Sequence, residues 1–245
     1  MNILAVIPAR HASSRFPGKP LALVAGVPMI QRVYTRVQDA QACQKVVVAT
    51  DDERIAKAIR NFGGEVVMTS DKCPNGTVRC HEAAEQLEAN GEEFQAVLNI
   101  QGDEPFVHPE QIEQLADMLR NPDAAVVTLA KSMPADPEIE SPHRVKVVRN
   151  MSGRALMFSR SPLPHGDGPW LQHVGLYGFT RTALEALVQL SPTPLEQREK
   201  LEQLRWLDHG WRIDVGTTSH LTPSVDTPDD LAAIEALIDA GKLGA

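Results

Sequence analysis

Four short apolar runs, each followed by a stretch with helical spacing, constrain the fold of this chain more than any other feature. The runs are residues 3–7, 46–49, 65–68 and 96–100. They are rich in β-branched residues and mostly apolar without alternation, which is typical of parallel strands covered on both faces. Amphipathic patterns between them predict helices that begin near Pro28, Asp52 and Arg79. This order predicts an α/β fold, a doubly wound and mainly parallel sheet that binds ligands at the carboxyl ends of its strands.

The second half of the chain has a different pattern. Three prolines interrupt the polar residues 132–142, which indicates a loop. Strands with short connections are then predicted at 145–149, 155–158 and 174–179, and they indicate a small antiparallel addition. Helices over 181–190, 195–207 and 228–240 and a strand over 212–215 complete the prediction. Because the sequence contains no internal repeat, we interpret residues 1–245 as one domain, with residues 132–180 as an embedded lobe.

The charge of the chain is distributed unevenly. Twenty-four Lys and Arg residues against 32 Asp and Glu residues give a net charge of −8, which argues against nucleic acid as a partner. No acidic residue precedes Asp39, however, and the five basic residues before it leave −13 for the rest of the chain. A cationic segment in an acidic protein predicts a small anionic ligand.

Cysteine and hydropathy patterns indicate the compartment. Three cysteines, at positions 43, 73 and 80, lack CxxC spacing and predict a reducing compartment, the cytoplasm. The apolar run over 3–7 has no cationic flank before it, and no run approaches the length of a membrane span, so we expect neither export nor a membrane partner. The eight histidines show no HExxH or comparable spacing and predict no zinc site.

The loop after the first predicted strand carries much of this early positive charge. Residues 8–21 contain Arg10, Arg15 and Lys19 together with two serines and a glycine. Because the loop begins at the carboxyl end of a strand, its cations and backbone amides predict a phosphate site. The alternative is an ordinary solvated basic loop.

An acidic residue follows the fourth predicted strand. Asp103 comes directly after Gly102, which allows a ligand to approach closely. Mg²⁺ typically takes one or two carboxylates together with phosphate oxygens of a substrate, so Asp103 is a candidate metal ligand. A simple β-turn is the alternative interpretation.

A second candidate carboxylate precedes the last predicted helix. Thr227, Pro228 and Asp230 have the spacing of a capping box, which leaves Asp226 without a capping role. We therefore predict Asp226 as a second metal ligand, although the helix dipole alone would also favour an acid there. By contrast, we interpret the adjacent pair Asp51 and Asp52 as helix caps.

Three further stretches are less informative by themselves. Residues 75–79 predict a turn into a helix, which either presents amides to a base or is an ordinary turn. Glu202 and Gln203 are predicted on the solvated face of the helix over 195–207. His173 and Tyr177, four residues apart on a predicted strand, are expected on the same side of it.

Several segments, found in order along nearly the whole chain, resemble one family of enzymes. The segments are IPARHASSRFPGKPL (7–21), VATDDERI (48–55), QGDEP (101–105), VKVV and ALMFSR (within 145–160), HVGLYGF (173–179), EKLEQLR (199–205) and VDTPDDL (225–231). Together they resemble the 3-deoxy-manno-octulosonate (Kdo) cytidylyltransferases, and several are specific to this family among sugar nucleotidyltransferases.

The resemblance implies a Rossmann-like nucleotidyltransferase, a homodimer that makes CMP-Kdo and pyrophosphate from CTP and Kdo for lipopolysaccharide assembly. It implies that Asp103 and Asp226 hold Mg²⁺ and that Arg10, Lys19 and Asp103 are catalytic. The residues implied to bind the nucleotide are Pro8, Arg10, Arg15, Lys19, Asn75, Gly76 and Thr77. The residues implied to bind the acidic sugar are Arg79, Gln101, Arg160, His173, Tyr177, Glu202 and Gln203.

One segment departs from the family pattern. The family usually has Ser-Gly-Thr, then Glu or Asp, then Arg, whereas this chain has Asn75 and Val78 at the first and fourth of these positions. The alternative acceptor is therefore a related 2-keto acid sugar, such as 8-amino-Kdo or a sialic acid. An inactive nucleotide-binding module and a metal-dependent glycosyltransferase are alternatives from other functional classes.

Overall fold

The computed structural model describes residues 1–12, 16–220, 223–241 and 243. The strands in these ranges are β1 (Ile3–Ala9), β2 (Leu23–Val24), β3 (Val27–Pro28), β4 (Lys45–Thr50), β5 (Val66–Met68), β6 (Ala96–Asn99), β7 (Val126–Met133), β8 (Lys146–Arg149), β9 (Ala155–Ser159), β10 (Trp170–Thr180) and β11 (Ile213–Thr218). The helices are α1 (Met29–Asp39), α2 (Glu53–Asn61), α3 (Gly76–Ala89), α4 (Pro109–Leu119), α5 (Arg181–Leu187), α6 (Pro194–Glu199), α7 (Gln203–Asp208) and α8 (Pro228–Asp239). None of these helices combines the length and the apolar character that a membrane span needs.

The central sheet has the strand order β11-β7-β10-β6-β1-β4-β5. Every neighbouring pair in this order is parallel except the two pairs made by β10, which runs antiparallel to β6 and β7. The strands β8 and β9 pair with each other, and β8 also pairs with β10. The predicted α/β fold, a mainly parallel sheet with a small antiparallel addition, is confirmed.

Helices cover both faces of the sheet, and β1 shows how the sequence produces this. Its alternate residues Ile3, Ala5 and Ile7 belong to one core, to which α1, α2 and α4 contribute. The intervening residues Leu4 and Val6 belong to the opposite core, with α3, α5 and α7. Because side chains of a strand alternate between faces, a strand buried on both sides must be apolar throughout.

Two elements that the sequence patterns did not assign, α4 and β7, follow β6. Helix α4 begins after His108, whose ring caps the helix while the Gln111 side chain completes a capping box. Strand β7 lies between β10 and β11, and residues 126–130 of it are buried. These elements connect the parallel half of the sheet to its antiparallel part.

The prediction of one helix over 195–207 is wrong. The segment forms α6 and α7, separated at Lys200, which has a left-handed backbone with φ of +54°. The break turns the Glu199 carboxylate toward Ser159 Oγ and the Arg160 amide, at 2.8 and 2.9 Å. It also places Glu202 against the start of α3, and Gln203 is buried, so the predicted solvated face is wrong for both residues.

A small third cluster of apolar residues fixes the end of the chain. Val24, Phe106, Val225 and Ile234 are buried in it. The cluster packs α8 against the loop after β6 and the ribbon of β2 and β3. It therefore holds the segment before α8, which carries Asp226, close to the loop that carries Asp103.

Candidate active site

The loop after β1 places Lys19 in a constrained position. Gly18 closes the loop by donating its amide hydrogen to the His11 carbonyl at 3.0 Å, with φ of +74°, a backbone conformation that favours glycine. A 3₁₀ turn then covers Lys19–Leu21, and only 13% of the Lys19 side chain is exposed. Arg10 is exposed, and Arg15 lies outside the described residues.

Lys19 joins the two predicted metal carboxylates. Its ammonium group lies 2.8 Å from Asp103 Oδ2 and 3.3 Å from Asp226 Oδ1. It also donates a hydrogen bond to the Val225 carbonyl at 2.8 Å. The Val225 amide in turn donates to the Asp103 carbonyl at 2.9 Å, which ties the two acidic segments together. One cation therefore lies between two anions that are 123 residues apart in the sequence.

The capping box of α8 forms as predicted and leaves the Asp226 carboxylate out of it. Thr227 Oγ1 accepts the Asp230 amide at 3.2 Å, and the Asp230 carboxylate accepts the Asp226 and Thr227 amides at 2.9 and 2.8 Å. These hydrogen bonds lower the pKa of Asp230, although its burial acts in the opposite direction and is the larger single effect. Asp230 thus satisfies the helix start, while the Asp226 carboxylate is directed to Lys19.

The donor set formed by Asp103 and Asp226 fits Mg²⁺. Both carboxylates are partly exposed, 30% and 39% of the side chain, and both contact the same ammonium group. Mg²⁺ is usually held by one or two carboxylates while waters and substrate phosphates fill its other positions. A site with two half-exposed carboxylates beside a cavity meets that requirement.

Three chain segments approach one another closely around this point. A Cβ atom added to Gly102 would lie 3.0 Å from the Pro8 carbonyl oxygen, and one added to Gly76 would lie 3.2 Å from Pro8 Cγ. Side chains at positions 76 and 102 would therefore force apart the ends of β1 and β6 and the start of α3.

A cavity of about 320 Å³ lies between these segments. Nine of the residues implied by the resemblance line it, and they are Pro8, Arg10, Lys19, Asn75, Gly76, Arg79, Gln101, Asp103 and Asp226. Gly102, which we expected to allow a ligand to approach closely, also lines the cavity, and the residues that we did not predict are Ala9, Pro20, Cys73 and Pro74. Each of these is adjacent in sequence to a predicted residue or, as Cys73, lies two positions away.

One wall of the cavity is the start of α3, which Glu202 supports. Asn75 caps the helix by accepting the Val78 amide at 2.9 Å, and its own amide group donates to Glu202 at 2.8 Å. Thr77 Oγ1 donates to the other oxygen of Glu202 at 2.9 Å. Burial raises the pKa of Glu202 to about 7, partly offset by the hydrogen bond from Thr77 and the charge of Arg205. Thr77 and Glu202 lie behind the wall and do not line the cavity.

Arg79 lies on the same wall and is held by two groups. Its guanidinium donates to Thr69 Oγ1 at 2.7 Å and lies 3.4 Å from Asp51 Oδ2, and the residue is 3% exposed. The interpretation of Asp51 as a helix cap is therefore wrong, since Asp52 alone accepts the Arg54 and Ile55 amides. This contact could have been expected from the sequence, because a helix needs only one N-cap and Asp52 fills that role, which leaves Asp51 available for another partner.

His173 and Tyr177 lie side by side on β10, as predicted, with Tyr177 buried and His173 half-buried. Their ring centroids are 5.4 Å apart, and His173 Nε2 lies 2.9 Å from Thr128 Oγ1. Tyr177 packs edge-on against Trp206 at 5.2 Å. Burial lowers the pKa of His173 to about 3, so its ring is neutral near pH 7. Neither residue lines the cavity formed by the described residues.

Arg160 and Gln203 also lie away from the cavity lining. Arg160 donates through Nε to the Glu199 carbonyl at 2.9 Å and through Nη1 to the Pro142 carbonyl at 2.8 Å. Gln203 is 5% exposed at the start of α7. Among the described residues, the structure thus brings both implied metal residues and all of the implied nucleotide residues except Thr77 to one cavity, and it places most of the implied sugar residues behind or beside that cavity.

The chain is similar to known proteins along nearly its full length. A family model described as Cytidylyltransferase matches residues 4–213. The 3-deoxy-manno-octulosonate cytidylyltransferase of Myxococcus xanthus is 47% identical over 97% of this chain and 96% of its own length. The protein of the same name from Parabacteroides distasonis is 45% identical over 94% of this chain and 96% of its own length.

Solved structures agree with these relatives. A structure of CMP:2-keto-3-deoxy-manno-octonic acid synthetase complexed with CTP superimposes with a TM-score of 0.92 at 39% identity, covering 98% of this chain and all of that one. A glucose-1-phosphate thymidylyltransferase from Bacillus anthracis, 16% identical, shares the fold alone with a TM-score of 0.67 over 99% of this chain and 98% of its own. The chain therefore belongs to the 3-deoxy-manno-octulosonate cytidylyltransferase family.

Proposed function

We propose that this chain transfers the cytidylyl group of CTP to the anomeric hydroxyl of Kdo and releases pyrophosphate. The observation that carries this proposal is the ammonium group of Lys19 between the carboxylates of Asp103 and Asp226 in the cavity. This arrangement combines a phosphate-binding cation with two carboxylates, and Lys19 and Asp103 lie in the loops after β1 and β6, at the sheet edge where ligands of such sheets bind. The names of the 45–47% identical relatives identify the acceptor class.

Arg10 and Lys19 are the residues that we propose for the triphosphate. Both line the cavity, and both precede every acidic residue of the chain. Their positive charges would offset the charge that accumulates on the leaving pyrophosphate, a contribution that is large in water-poor sites. Asn75, Gly76 and Thr77 form the start of α3, whose backbone amides can contact the cytosine or its ribose.

We propose that Asp103 and Asp226 hold Mg²⁺, since both carboxylates face one point of the cavity. When bound there, the ion would neutralise phosphate charge and help to align the nucleotide. The chain itself supplies the positioning, because Lys19 and Arg10 would hold the phosphates while the sugar hydroxyl attacks the α-phosphorus opposite the pyrophosphate. No covalent intermediate on a protein side chain is needed for this displacement.

The sugar side of the site is proposed around Arg79 and Gln101. Both line the cavity, and Gln101 donates to the Asn99 side chain at 3.2 Å. Arg79 supplies a positive charge that suits the carboxylate of an octulosonate. The remaining implied sugar residues, Arg160, His173, Tyr177, Glu202 and Gln203, would act from behind the wall or after a side-chain rearrangement when the sugar binds.

A product assay tests the proposal. CTP is mixed with Kdo, 8-amino-Kdo or sialic acid, and mass spectrometry identifies which CMP-sugar forms while pyrophosphate release is followed. We expect CMP-Kdo, and we expect Asp103→Asn and Asp226→Asn to abolish most turnover. Asp229→Asn, in the exposed first turn of α8, is the matched control. CMP-sugar consumed as a donor would favour a glycosyltransferase, and CTP binding without any product would favour an inactive module.

The proposal also covers the compartment, the domain organisation and the oligomeric state of the protein. We propose a cytoplasmic enzyme, supported by the free state of Cys43, Cys73 and Cys80 in the structure. We also propose one domain over 1–245 that associates as a homodimer through the lobe at 132–180. The exposed apolar side chains of Met151 and Leu156 on the β8–β9 hairpin support a contact there. Sedimentation analysis of the wild type and of Leu156→Glu tests the dimer.

A further inference from the structure

A second group of metal-binding side chains lies apart from the proposed active site. His108 caps α4, Glu110 lies in the first turn of the same helix, and His220 follows β11. The two imidazole rings stack with centroids 3.7 Å apart and planes within 7°. Glu110 Oε2 lies 2.8 Å from His220 Nε2. The Gln111 side chain, which donates to the His220 carbonyl at 3.3 Å, joins the two segments.

These three residues offer a donor set with a defined preference. One ligand atom from each of them lies within 4.8 Å of the other two. Two imidazole nitrogens and one carboxylate oxygen suit Zn²⁺ and its neighbours among the transition metals, whereas Mg²⁺ prefers oxygen donors alone. Zinc sites with two histidines and one glutamate keep a fourth position for water.

We propose that His108, Glu110 and His220 form a binding site for a transition-metal ion of the Zn²⁺ class, distinct from the pair Asp103 and Asp226. With bonds of about 2.0–2.2 Å, tetrahedral ligands lie roughly 3.3 Å apart, so the three ligand atoms must draw together by about 1.5 Å at most. The side chains are partly exposed, 30% for His220 and 68% for Glu110, which leaves them room to rotate and the ion a path to enter.

Binding requires two small rearrangements. The stacked rings must tilt so that both nitrogen lone pairs point to one ion. His108 Nδ1 also accepts the Glu110 amide in a long hydrogen bond of 3.4 Å, which metal binding would weaken. The start of α4 stays held, because the Gln111 side chain still accepts the His108 amide at 3.0 Å. Both changes involve side chains at the surface and leave the backbone in place.

The location of this site connects it to the catalytic carboxylates. His108 follows Asp103 by five residues, and His220 precedes Asp226 by six. An ion held by both histidines would link the loop after β6 to the segment before α8. It would therefore restrain the two segments that bring Asp103 and Asp226 together, although the proposal itself concerns binding and does not depend on the reaction.

Zinc titration of the full-length protein without an affinity tag tests the proposal. Calorimetry and competition with a chromophoric zinc chelator are expected to show one equivalent of Zn²⁺ whose affinity falls at least tenfold in His220→Asn and in Glu110→Gln. His108→Asn is expected to behave likewise while keeping an N-cap, since Asn is a good capping residue. Co²⁺ is expected to give the intense visible absorption of a four-coordinate site in the wild type and not in these three variants.

Matched variants separate this site from others. His209→Asn, an exposed histidine that contacts the Ser191 carbonyl, should bind Zn²⁺ as the wild type does. Asp103→Asn and Asp226→Asn should also retain that binding. Circular dichroism establishes that each variant is folded, and Glu110→Gln changes a largely exposed side chain, so at least one informative variant survives. Unchanged affinity in the His220 and Glu110 variants, or its loss in the Asp103 variant, would overturn the proposal.

Discussion

The Lys19 ammonium group lies 2.8 Å from the Asp103 carboxylate, and this ion pair joins the loop after β1 to the loop after β6. Each residue follows a buried parallel strand, and β1 and β6 are hydrogen-bonded neighbours in the sheet. The pair is therefore a direct result of strand order, since adjacent parallel strands end at the same edge of a sheet.

Replacing Lys19 tests the contribution of its charge. We expect Lys19→Met to lower kcat/KM roughly 10²–10³-fold, the usual effect of removing one charge-stabilising donor from an active site. The variant also leaves the Asp103 and Asp226 carboxylates facing each other without the intervening cation, so we expect their repulsion to lower the free energy of unfolding. Steady-state pyrophosphate release measures the first effect. Lys57→Met, an exposed lysine on α2, is the control, and a comparable loss there would contradict the assignment.

The raised pKa of the buried Glu202 carboxyl leads us to expect a stability that depends on pH. Burial raises its pKa from 4.5 to about 7 on folding. Its contribution to stability is therefore complete below about pH 4.5 and is lost as the pH rises to about 7, where the buried group ionises at a cost on the order of 3 kcal/mol. We expect the free energy of unfolding of Glu202→Gln, measured with urea, to increase relative to that of the wild type as the pH rises from 5 to 8. Glu185→Gln, which changes an exposed side chain on α5, is the control, and its difference in unfolding free energy from the wild type should stay constant over this pH range.

We expect the substitution of Asp51 to lower stability and to weaken substrate binding. Asp51→Asn removes the carboxylate beside the buried Arg79 guanidinium, and loss of one partner from a buried ion pair typically costs roughly 3 kcal/mol. We also expect KM for the sugar to rise more than kcat falls, because Arg79 loses its orientation. Thermal unfolding and steady-state kinetics measure the two effects. Asp52→Asn keeps a good N-cap and should change neither by much.

We expect a side chain at position 102 to clash with the end of β1. A methyl group at this position lies 3.0 Å from the Pro8 carbonyl oxygen, so Gly102→Ala must separate the ends of β1 and β6. We expect a loss of about 1–3 kcal/mol in unfolding free energy and a large loss of activity. Gly175→Ala is the control, because its added methyl group would meet the Glu104 side chain at an ordinary 3.4 Å. Equal effects of the two substitutions would contradict this explanation.

The parallel strands β1, β4, β5 and β6 and most of the cavity were predictable from local sequence, whereas β7 was not. Continuous apolar runs identify strands covered on both faces, and the polar residues that follow them must meet at one edge of the sheet. Lys19 and Asp103 follow from this rule alone. Asp226 follows from a capping argument, because Thr227 and Asp230 already account for the helix start.

The features that escaped prediction depend on contacts between distant segments. The break at Lys200 needs a left-handed residue that the leucine spacing conceals, and it is stabilised by Glu199 bonding to the β9 end, about 40 residues away. The Asp51 contact with Arg79 likewise joins two separate helix starts. The histidine cluster combines positions 112 residues apart, so no spacing rule for metal ligands detects it.

The position of Lys19 has a consequence for the order in which ligands bind. A divalent ion bound at the proposed site without nucleotide would compete with the Lys19 ammonium group for Asp103 and Asp226, so we expect its affinity in the absence of nucleotide to be low. Phosphate groups of a nucleotide offer Lys19 another anionic partner and release the carboxylates. If Asp103 and Asp226 hold an ion as proposed, ion and nucleotide would therefore bind cooperatively, because the nucleotide would take Lys19 as a partner and leave the two carboxylates to the ion.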